Sequence, residues 1–235
     1  LRKKKNLVEG KVTAVKTPSP HRVEPFCKHF GVCGGCKWQH MNYEAQLHFK
    51  EKYVNNVLTR IGKVDTSAME TILGSQETSY YRNKLEYTFS NKRWLTNKDE
   101  QTEDQDMNAL GFHVPGRFDK ILDIDHCYLQ ADPSNDIRNS IRAYAADHGI
   151  SFYDLRAHQG ALRNVIIRTA STGEVMVIVV FAYPTQEQID QLMEFISIKF
   201  PTLASLLYIV NQKGNDTIFD QEIMLYRGRD FIYEE

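Results

Sequence analysis

The chain has 235 residues, of which 42% are hydrophobic and 25% charged, a composition typical of a globular protein with one large or two small domains. No apolar run approaches the roughly 20 residues that a membrane-spanning helix needs, which argues against a membrane protein. The formal net charge of −1 conceals an asymmetry, because residues 1–63 hold 13 Lys and Arg but only four Asp and Glu. This local excess of positive charge favours a polyanionic partner such as RNA or DNA.

The hydrophobic patterns predict helices and strands in mixed order. In chain order they are strand-like residues 7–15, an amphipathic helix at 43–61 capped by Asn42, strands at 85–89, 109–113 and 120–124, a helix from Pro133 to Gly149, a hairpin of 165–169 with 175–181, a helix that ends before Pro201, and strands at 206–210 and 231–235. Residues 96–108 are polar and acidic and predict an exposed loop. Paired strands flanked by helices indicate an α+β fold built on antiparallel sheet.

All four cysteines form one unequal set. Cys27, Cys33 and Cys36 make a C-x5-C-G-G-C run, and Cys127 follows about ninety residues later. The two glycines allow the backbone to turn both sulfurs toward one point, and their N–H groups can point at that sulfur. Disulfides are disfavoured because no signal peptide is visible. The three-plus-one spacing suits Cys₄ ligation of an iron–sulfur cluster, and a structural zinc site remains the rival interpretation.

Several familiar catalytic patterns are absent from the sequence. There is no G-x-G, which argues against a nucleotide cradle of the usual kind. The serines and histidines show no nucleophile-elbow motif. If a metal centre takes all four cysteines, no thiol remains as a nucleophile. These absences indicate a recognition or accessory domain and not a complete active site.

Several blocks together resemble the RNA (uracil-5-)-methyltransferases. The most specific block is the cysteine run with its flanks, from Phe26 to His40. The further matching blocks are Tyr43 and Gln46, residues 81–87, Gly111-Phe112 leading to 124–127, 162–168 and 227–232. They span most of the chain. The cysteine run most resembles the branch that modifies 23S ribosomal RNA, because the transfer-RNA branch typically lacks this cysteine set.

The resemblance implies a three-part cytoplasmic enzyme that uses S-adenosylmethionine to methylate uracil C5 in ribosomal RNA, with no obligate protein partner. Residues 1–20 would end an OB-like (TRAM) domain. Residues 21–235 would form the central iron–sulfur RNA-binding domain, reaching the start of the methyltransferase domain near 215–235. The catalytic cysteine, the acidic base and the S-adenosylmethionine site would lie after Glu235, so no catalytic residue is assigned here and the piece is expected to be inactive alone.

The resemblance also implies the identity of the centre. A [4Fe–4S] cluster on Cys27, Cys33, Cys36 and Cys127 is expected, with a structural role. Two alternatives stay open: a zinc-stabilised RNA-binding module that is not an enzyme, and an iron–sulfur electron carrier. Metal analysis distinguishes zinc from iron–sulfur.

Six side chains are predicted to contact RNA, three by stacking on bases and three by binding phosphates: Phe30, Trp38 and His40, and Lys37, Arg82 and Lys84. An alternative role for Phe30 or Trp38 is to cover the cluster. Arg163 and Arg168, on a predicted strand, are more ambiguous candidates for RNA contact, because an arginine on an exposed strand face is usually only solvated.

Overall fold

The computed structural model of the chain describes residues 2–10, 12–96 and 105–235. The predicted polar loop at 96–108 lies mostly outside these described residues. Within them the chain forms three α-helices and nine β-strands. None of the described helices is long and apolar enough to cross a lipid bilayer.

The chain divides into two compact units, and the first consists of Leu1–Phe26 and Trp38–Gly74. This unit contains a short antiparallel pair of strands, β1 (Arg2–Lys4) and β2 (Leu7–Glu9), and the helix α1 (Tyr43–Arg60). The strand-like pattern predicted at the start of the chain is therefore realised as a hairpin that begins earlier and ends at Glu9.

Helix α1 follows its prediction closely at both ends. The Asn42 side chain accepts a hydrogen bond from the Ala45 N–H at 2.8 Å, which is the predicted capping role. The amphipathic pattern also predicts a buried apolar stripe, and here the structure differs. Val54 and Leu58 are exposed, and Ala45 is the one buried side chain described for this helix. Leu47 and Val57 of the same face are half-buried, so the stripe is only partly covered within this unit.

The second unit, Cys27–Lys37 and Ser75–Glu235, is built on a seven-stranded sheet. Its strands are β3 (Lys84–Ser90), β4 (Ala109–Val114), β5 (Arg117–Asp123), β6 (Leu162–Thr169), β7 (Val175–Phe181), β8 (Ser205–Val210) and β9 (Ile223–Gly228). The order across the sheet is β5-β4-β3-β6-β7-β8-β9. Neighbouring strands are antiparallel except β7 and β8, which are parallel. The predicted mixed helix and strand fold is confirmed, with this one parallel pair as the departure from a purely antiparallel sheet.

Two helices, α2 (Ser134–Asp147) and α3 (Gln186–Lys199), contribute to one large apolar core with the sheet. Helix α3 is the crossover that a parallel pair such as β7 and β8 requires. It begins at a reciprocal capping box in which Thr185 and Gln188 each satisfy the other's backbone N–H. Alternate residues of the central strands point into this core, where Tyr87, Phe89 and Val177 are fully buried.

A second, smaller apolar cluster lies on strands β6, β7 and β8, formed by residues that alternate with those of the main core: Ile166, Met176, Ile178, Val180, Leu207 and Ile209. Ile218 and Ile232 pack against it. The strand predicted at 231–235 is wrong, because the last strand is β9 and the chain after Gly228 is irregular. The apolar side chain of Ile232 is explained by its packing on this cluster and not by a strand.

Candidate functional site

All four cysteines belong to the sheet unit. Cys27, Cys33 and Cys36 lie half-buried on one loop, and Cys127 is buried after the end of β5. The pKa of the Cys33 thiol is raised to about 11, chiefly by burial and further by negative charge on the other three sulfurs, while the hydrogen bond from the Gly35 N–H lowers it in part. The four thiols therefore lie within electrostatic reach of one another.

One of the two glycines of the loop has the role that the sequence predicted, and the other has a different one. The Gly35 N–H points at the Cys33 sulfur at 3.3 Å, which confirms the predicted N–H to sulfur contact. The Gly34 N–H donates to the His113 carbonyl of β4 at 3.2 Å. A Cβ atom at Gly34 would stand 2.6 Å from that carbonyl oxygen, closer than real Cβ contacts. The loop therefore approaches the sheet at a distance that only glycine permits.

A buried cation stands behind Cys127. Asn135 holds the Cys127 backbone on both sides, accepting from its N–H at 2.8 Å and donating to its carbonyl at 3.2 Å. Arg138 in turn donates to Asn135 Oδ1 at 3.0 Å and lies over the Tyr87 ring. Burial raises the pKa of Cys127, and the positive charge of Arg138 lowers it in part.

The Arg138 guanidinium is fully buried, and within the described part of the chain it forms no ion pair. Its Nε atom has no hydrogen-bond partner there. Such a cation is costly unless negative charge lies nearby. Arg138 was not predicted from the sequence, although its spacing with Ser134, Ile141 and Ala145 places it on the inward face of α2.

Two residues of the cysteine run, Lys28 and His29, bind Asp125, which lies two residues before Cys127. Lys28 forms an ion pair with Asp125, and His29 Nε2 lies 2.7 Å from the other carboxylate oxygen of Asp125. Burial opposes ionisation of Asp125, but the hydrogen bonds from Lys28 and His29 outweigh it and hold the pKa of Asp125 below its usual value. The two cysteine-bearing segments are thus held together by side chains other than the thiols.

A cleft of about 400 Å³ opens beside Lys28, but its charges are matched. Arg142 donates to both oxygens of Asp123 at 2.8 and 2.9 Å, and Arg93 lies 3.5 Å from Asp123. Lys28 is paired with Asp125. Arg142 is also paired with Asp106 at 3.0 Å, so each of the three cations is ion-paired and the cleft offers a ligand no unpaired cation.

Among the described residues, no three or more His, Cys, Asp or Glu side chains are arranged so that they could hold a metal ion. The chemistry of the donors nevertheless suits a sulfur-ligated centre. Four thiols share one region, a backbone N–H is directed at one sulfur, and a buried cation stands behind another. Thiols with raised pKa values hold their protons at neutral pH, so metal binding here would release protons.

The residues predicted to contact RNA are distributed over both units. Phe30 is half-buried and Lys37 exposed on the cysteine loop, while Arg82 and Lys84 are exposed at the start of β3. Trp38 and His40 belong to the first unit, where Lys50 lies 5.5 Å from the centre of the exposed Trp38 ring. Their contacts with RNA remain predictions.

The expectation that Arg163 is solvated is wrong. Arg163 is 2% exposed, ion-paired with Asp216 at 2.7 Å, and it donates to the carbonyls of Asn211 and Lys213. It anchors the segment after β8 and is unavailable to RNA. Arg168, five residues along the same strand, is exposed.

The sequence of the chain is similar to proteins from several bacteria. It is 51% identical to a protein of Bacteroides thetaiotaomicron and 50% identical to one of Porphyromonas gingivalis, in both cases over the whole chain, and both are named uncharacterized RNA methyltransferases. The chain is a homologue of proteins named RNA methyltransferases. A relative with that name from Chlorobaculum tepidum is 35% identical over 98% of the chain. The chain covers 53%, 52% and 49% of these relatives, about half their length.

The fold also resembles a solved structure, the crystal structure of Pyrococcus abyssi tRNA (uracil-54, C5)-methyltransferase in complex with S-adenosyl-L-homocysteine. The TM-score is 0.62 and the identity 25%, over 92% of this chain and 44% of that one. No protein-family model matches the chain. The sequence relatives and the structural neighbour are therefore all named as methyltransferases of RNA.

Proposed function

We propose that the chain is part of an S-adenosylmethionine-dependent RNA (uracil-5-)-methyltransferase. The observation that carries this proposal is the similarity, over the whole chain, to about half of each of several proteins named RNA methyltransferases. The structural neighbour supports the finer assignment, since that protein is named a uracil C5 methyltransferase and its structure holds S-adenosyl-L-homocysteine, a product of S-adenosylmethionine.

Within that enzyme the chain's own task would be to grip RNA and present a uracil. A base inside a stack is out of reach of chemistry, so an enzyme that modifies it needs surfaces that hold the flanking RNA. The formal charge of +9 in residues 1–63 supports this role. Residues 1–20 are proposed to end an OB-like domain and residues 21–235 to form the central RNA-binding domain.

We assign Cys27, Cys33, Cys36 and Cys127 as ligands of a [4Fe–4S] cluster whose function is structural. Arg138 supports an anionic centre, because four thiolates around such a cluster carry net negative charge and would balance a buried cation. The cluster would reinforce the contact that Lys28 and His29 already make with Asp125. A zinc ion on the same thiolates is the alternative, and measurement of the zinc and iron content of the protein distinguishes the two.

With all four cysteines assigned to the cluster, the chain has none left as a nucleophile. We therefore expect the chain alone to transfer no methyl group, and we expect another part of the protein to supply the S-adenosylmethionine site and the catalytic thiol. Incubation of the chain with RNA and labelled S-adenosylmethionine tests this point. Methylation by the chain alone would contradict it.

For the substrate we propose a uracil of 23S ribosomal RNA, because the cysteine run resembles that of the methyltransferases that modify this RNA. The solved neighbour is named for uracil 54 of tRNA, so tRNA is the competing substrate. Deletion of the gene that encodes this protein, followed by mass spectrometry of 5-methyluridine in purified 23S RNA and tRNA, decides between them. Loss of 5-methyluridine from 23S RNA is the expected result. Loss only from tRNA would correct the substrate, and no loss from either RNA would overturn the function.

A further inference from the structure

Three aromatic rings meet just before strand β3. The Tyr80 ring centre lies 6.4 Å from that of His126 and 5.9 Å from that of Tyr128, and the His126 and Tyr128 rings are 4.4 Å apart. The Tyr80 hydroxyl lies 3.2 Å from His126 Nε2. Although this cluster fixes its position, the Tyr80 side chain is 42% exposed. A rigid and partly open ring is a platform on which another flat ring can stack.

The backbone at Tyr80 is strained. Its φ angle is +57°, in the left-handed region that a bulky side chain rarely adopts. The surrounding structure holds it there, because the Tyr80 N–H donates to the Tyr128 carbonyl at 2.7 Å and the Arg82 N–H donates to the Leu129 carbonyl at 2.8 Å. Glycine or asparagine would fit this conformation with less strain, so tyrosine at this position indicates a use for its ring.

Two exposed cations follow at the same end of the sheet. Lys84 of β3 lies directly opposite Arg168 of β6, so both side chains project from one face, and both are exposed. Among the described ion pairs, none includes Lys84 or Arg168. The carboxylate of Glu86, two residues along β3, lies close enough to feel the charge of Lys84. Like charges directly opposite on paired strands repel each other, and a bound anion would relieve that repulsion.

We propose that this surface, formed by Tyr80, Lys84 and Arg168, binds single-stranded RNA, with an unpaired base stacked on the Tyr80 ring and the phosphate backbone held by the two cations. Tyr80 and Lys84 are four residues apart, at most about 14 Å along an extended chain, so a short run of nucleotides can reach both. This inference rests on the proposed RNA function and names the state of the RNA that the protein recognises.

The chemistry favours an unpaired strand over a duplex or a protein. In a duplex the base faces are stacked inside, so a tyrosine ring has no face to contact. A single strand offers both a base face and a phosphate, and proteins bind it with aromatic platforms next to cations. An acidic protein segment would use the cations but would gain nothing from the ring.

Fluorescence anisotropy with a labelled single-stranded RNA and its duplex, using the whole chain, tests the proposal. The variant Tyr80→Gly removes the ring and relieves the strained φ. It should bind single-stranded RNA about tenfold or more weakly while the chain still melts in one cooperative transition, because the strain that is relieved offsets part of the packing lost with the ring. Tyr80→Phe keeps the ring and should retain binding. Lys84→Gln and Arg168→Gln should each lower the slope of log affinity against log salt by about one.

Two matched controls lie at the other end of the sheet. Tyr183 is 48% exposed after the end of β7, and Lys92 follows the end of β3 and is paired with Asp154 at 3.4 Å. Tyr183→Ser and Lys92→Gln should bind single-stranded RNA as the unaltered chain does.

The failures of the two proposals are distinguishable. If the unaltered chain binds no RNA, both the proposed function and this RNA-binding surface are overturned. If it binds RNA and Tyr80→Gly binds equally well, or if duplex binds as tightly as single strand, the surface is overturned and the proposed function stands. Equal losses in Tyr80→Gly and Tyr183→Ser would also overturn the surface.

Discussion

Arg138 and Arg163 are both buried in the sheet unit, and their surroundings differ in one respect. Arg163 meets the carboxylate of Asp216 at 2.7 Å and the carbonyls of the segment after β8. Arg138 meets two asparagine oxygens and an aromatic ring, and within the described residues no carboxylate pairs with it. Both lie over a tyrosine ring, 4.9 Å from its centre, so the contrast is one of charge and not of packing.

The difference between the two arginines indicates that negative charge is missing near Arg138. A guanidinium is stable in a protein interior when attraction to a nearby anion offsets the free energy of removing it from water. Around Arg163 the protein supplies that anion itself. Around Arg138 the nearby ionisable groups include the Cys127 thiol, whose pKa the arginine lowers. A centre built of thiolates would therefore complete the surroundings of Arg138 as Asp216 completes those of Arg163.

The largest expected effect comes from removing the paired arginine. Arg163→Met should lower the free energy of unfolding by about 2–4 kcal/mol, because it leaves buried carbonyls without a donor and Asp216 without its partner. Urea denaturation of the metal-free chain measures this. A loss below about 1 kcal/mol would show that the ion pair of Arg163 with Asp216 contributes little to stability, which would contradict the contrast drawn between the two arginines.

The two regions also differ in what their loops tolerate. Gly34→Ala should destabilise the chain by about 1–3 kcal/mol, because its Cβ would stand 2.6 Å from the His113 oxygen. Gly214 lies in the segment that binds Arg163, where an added Cβ would meet no atom within 4 Å and φ is outside the left-handed region. Gly214→Ala is therefore the matched control and should cost little. Thermal melts of both variants measure the contrast. Equal melting temperatures would show that the close approach of the cysteine loop to β4 is unimportant.

The unpaired arginine should behave in the opposite way to Arg163. Arg138→Met should change the stability of the metal-free chain by less than about 1 kcal/mol, or even raise it, because a buried cation without an anion is removed. The same variant should lose its metal centre faster than the unaltered chain when a chelator is added. A large destabilisation of the metal-free chain with unchanged metal release would contradict the proposed charge balance.

The smallest expected effect concerns Asp125 and depends on pH. Because the folded-state pKa of Asp125 lies below its usual value, its contribution is present above about pH 4 and is lost as pH falls further. Its side chain is 57% exposed, so the contribution should stay below about 1 kcal/mol. The stability difference between the unaltered chain and Asp125→Asn should be constant from pH 7 to 5 and shrink below pH 4. A difference that grows as pH falls would contradict the assignment.

The sequence predicted most elements of the sheet unit, because hydrophobic periodicity and turn residues are local signals. It did not predict the parallel pairing of β7 and β8, which depends on the path of α3. The burial of Arg163 was not predicted, because it depends on the ion pair with Asp216, which is distant in sequence. Arg138 escaped notice for the same reason, although its helical spacing placed it on the inward face. The cysteine pattern identified a candidate centre, but the charge around it appears only when the chain is folded.

The iron and acid-labile sulfide content of the chain, purified without oxygen and compared with Cys36→Ser, tests the central claim most directly. We predict about four iron atoms and four sulfides per chain, and loss of most of both in Cys36→Ser. One zinc per chain without sulfide, or full iron content in Cys36→Ser, would contradict the assignment of an iron–sulfur cluster to these four cysteines.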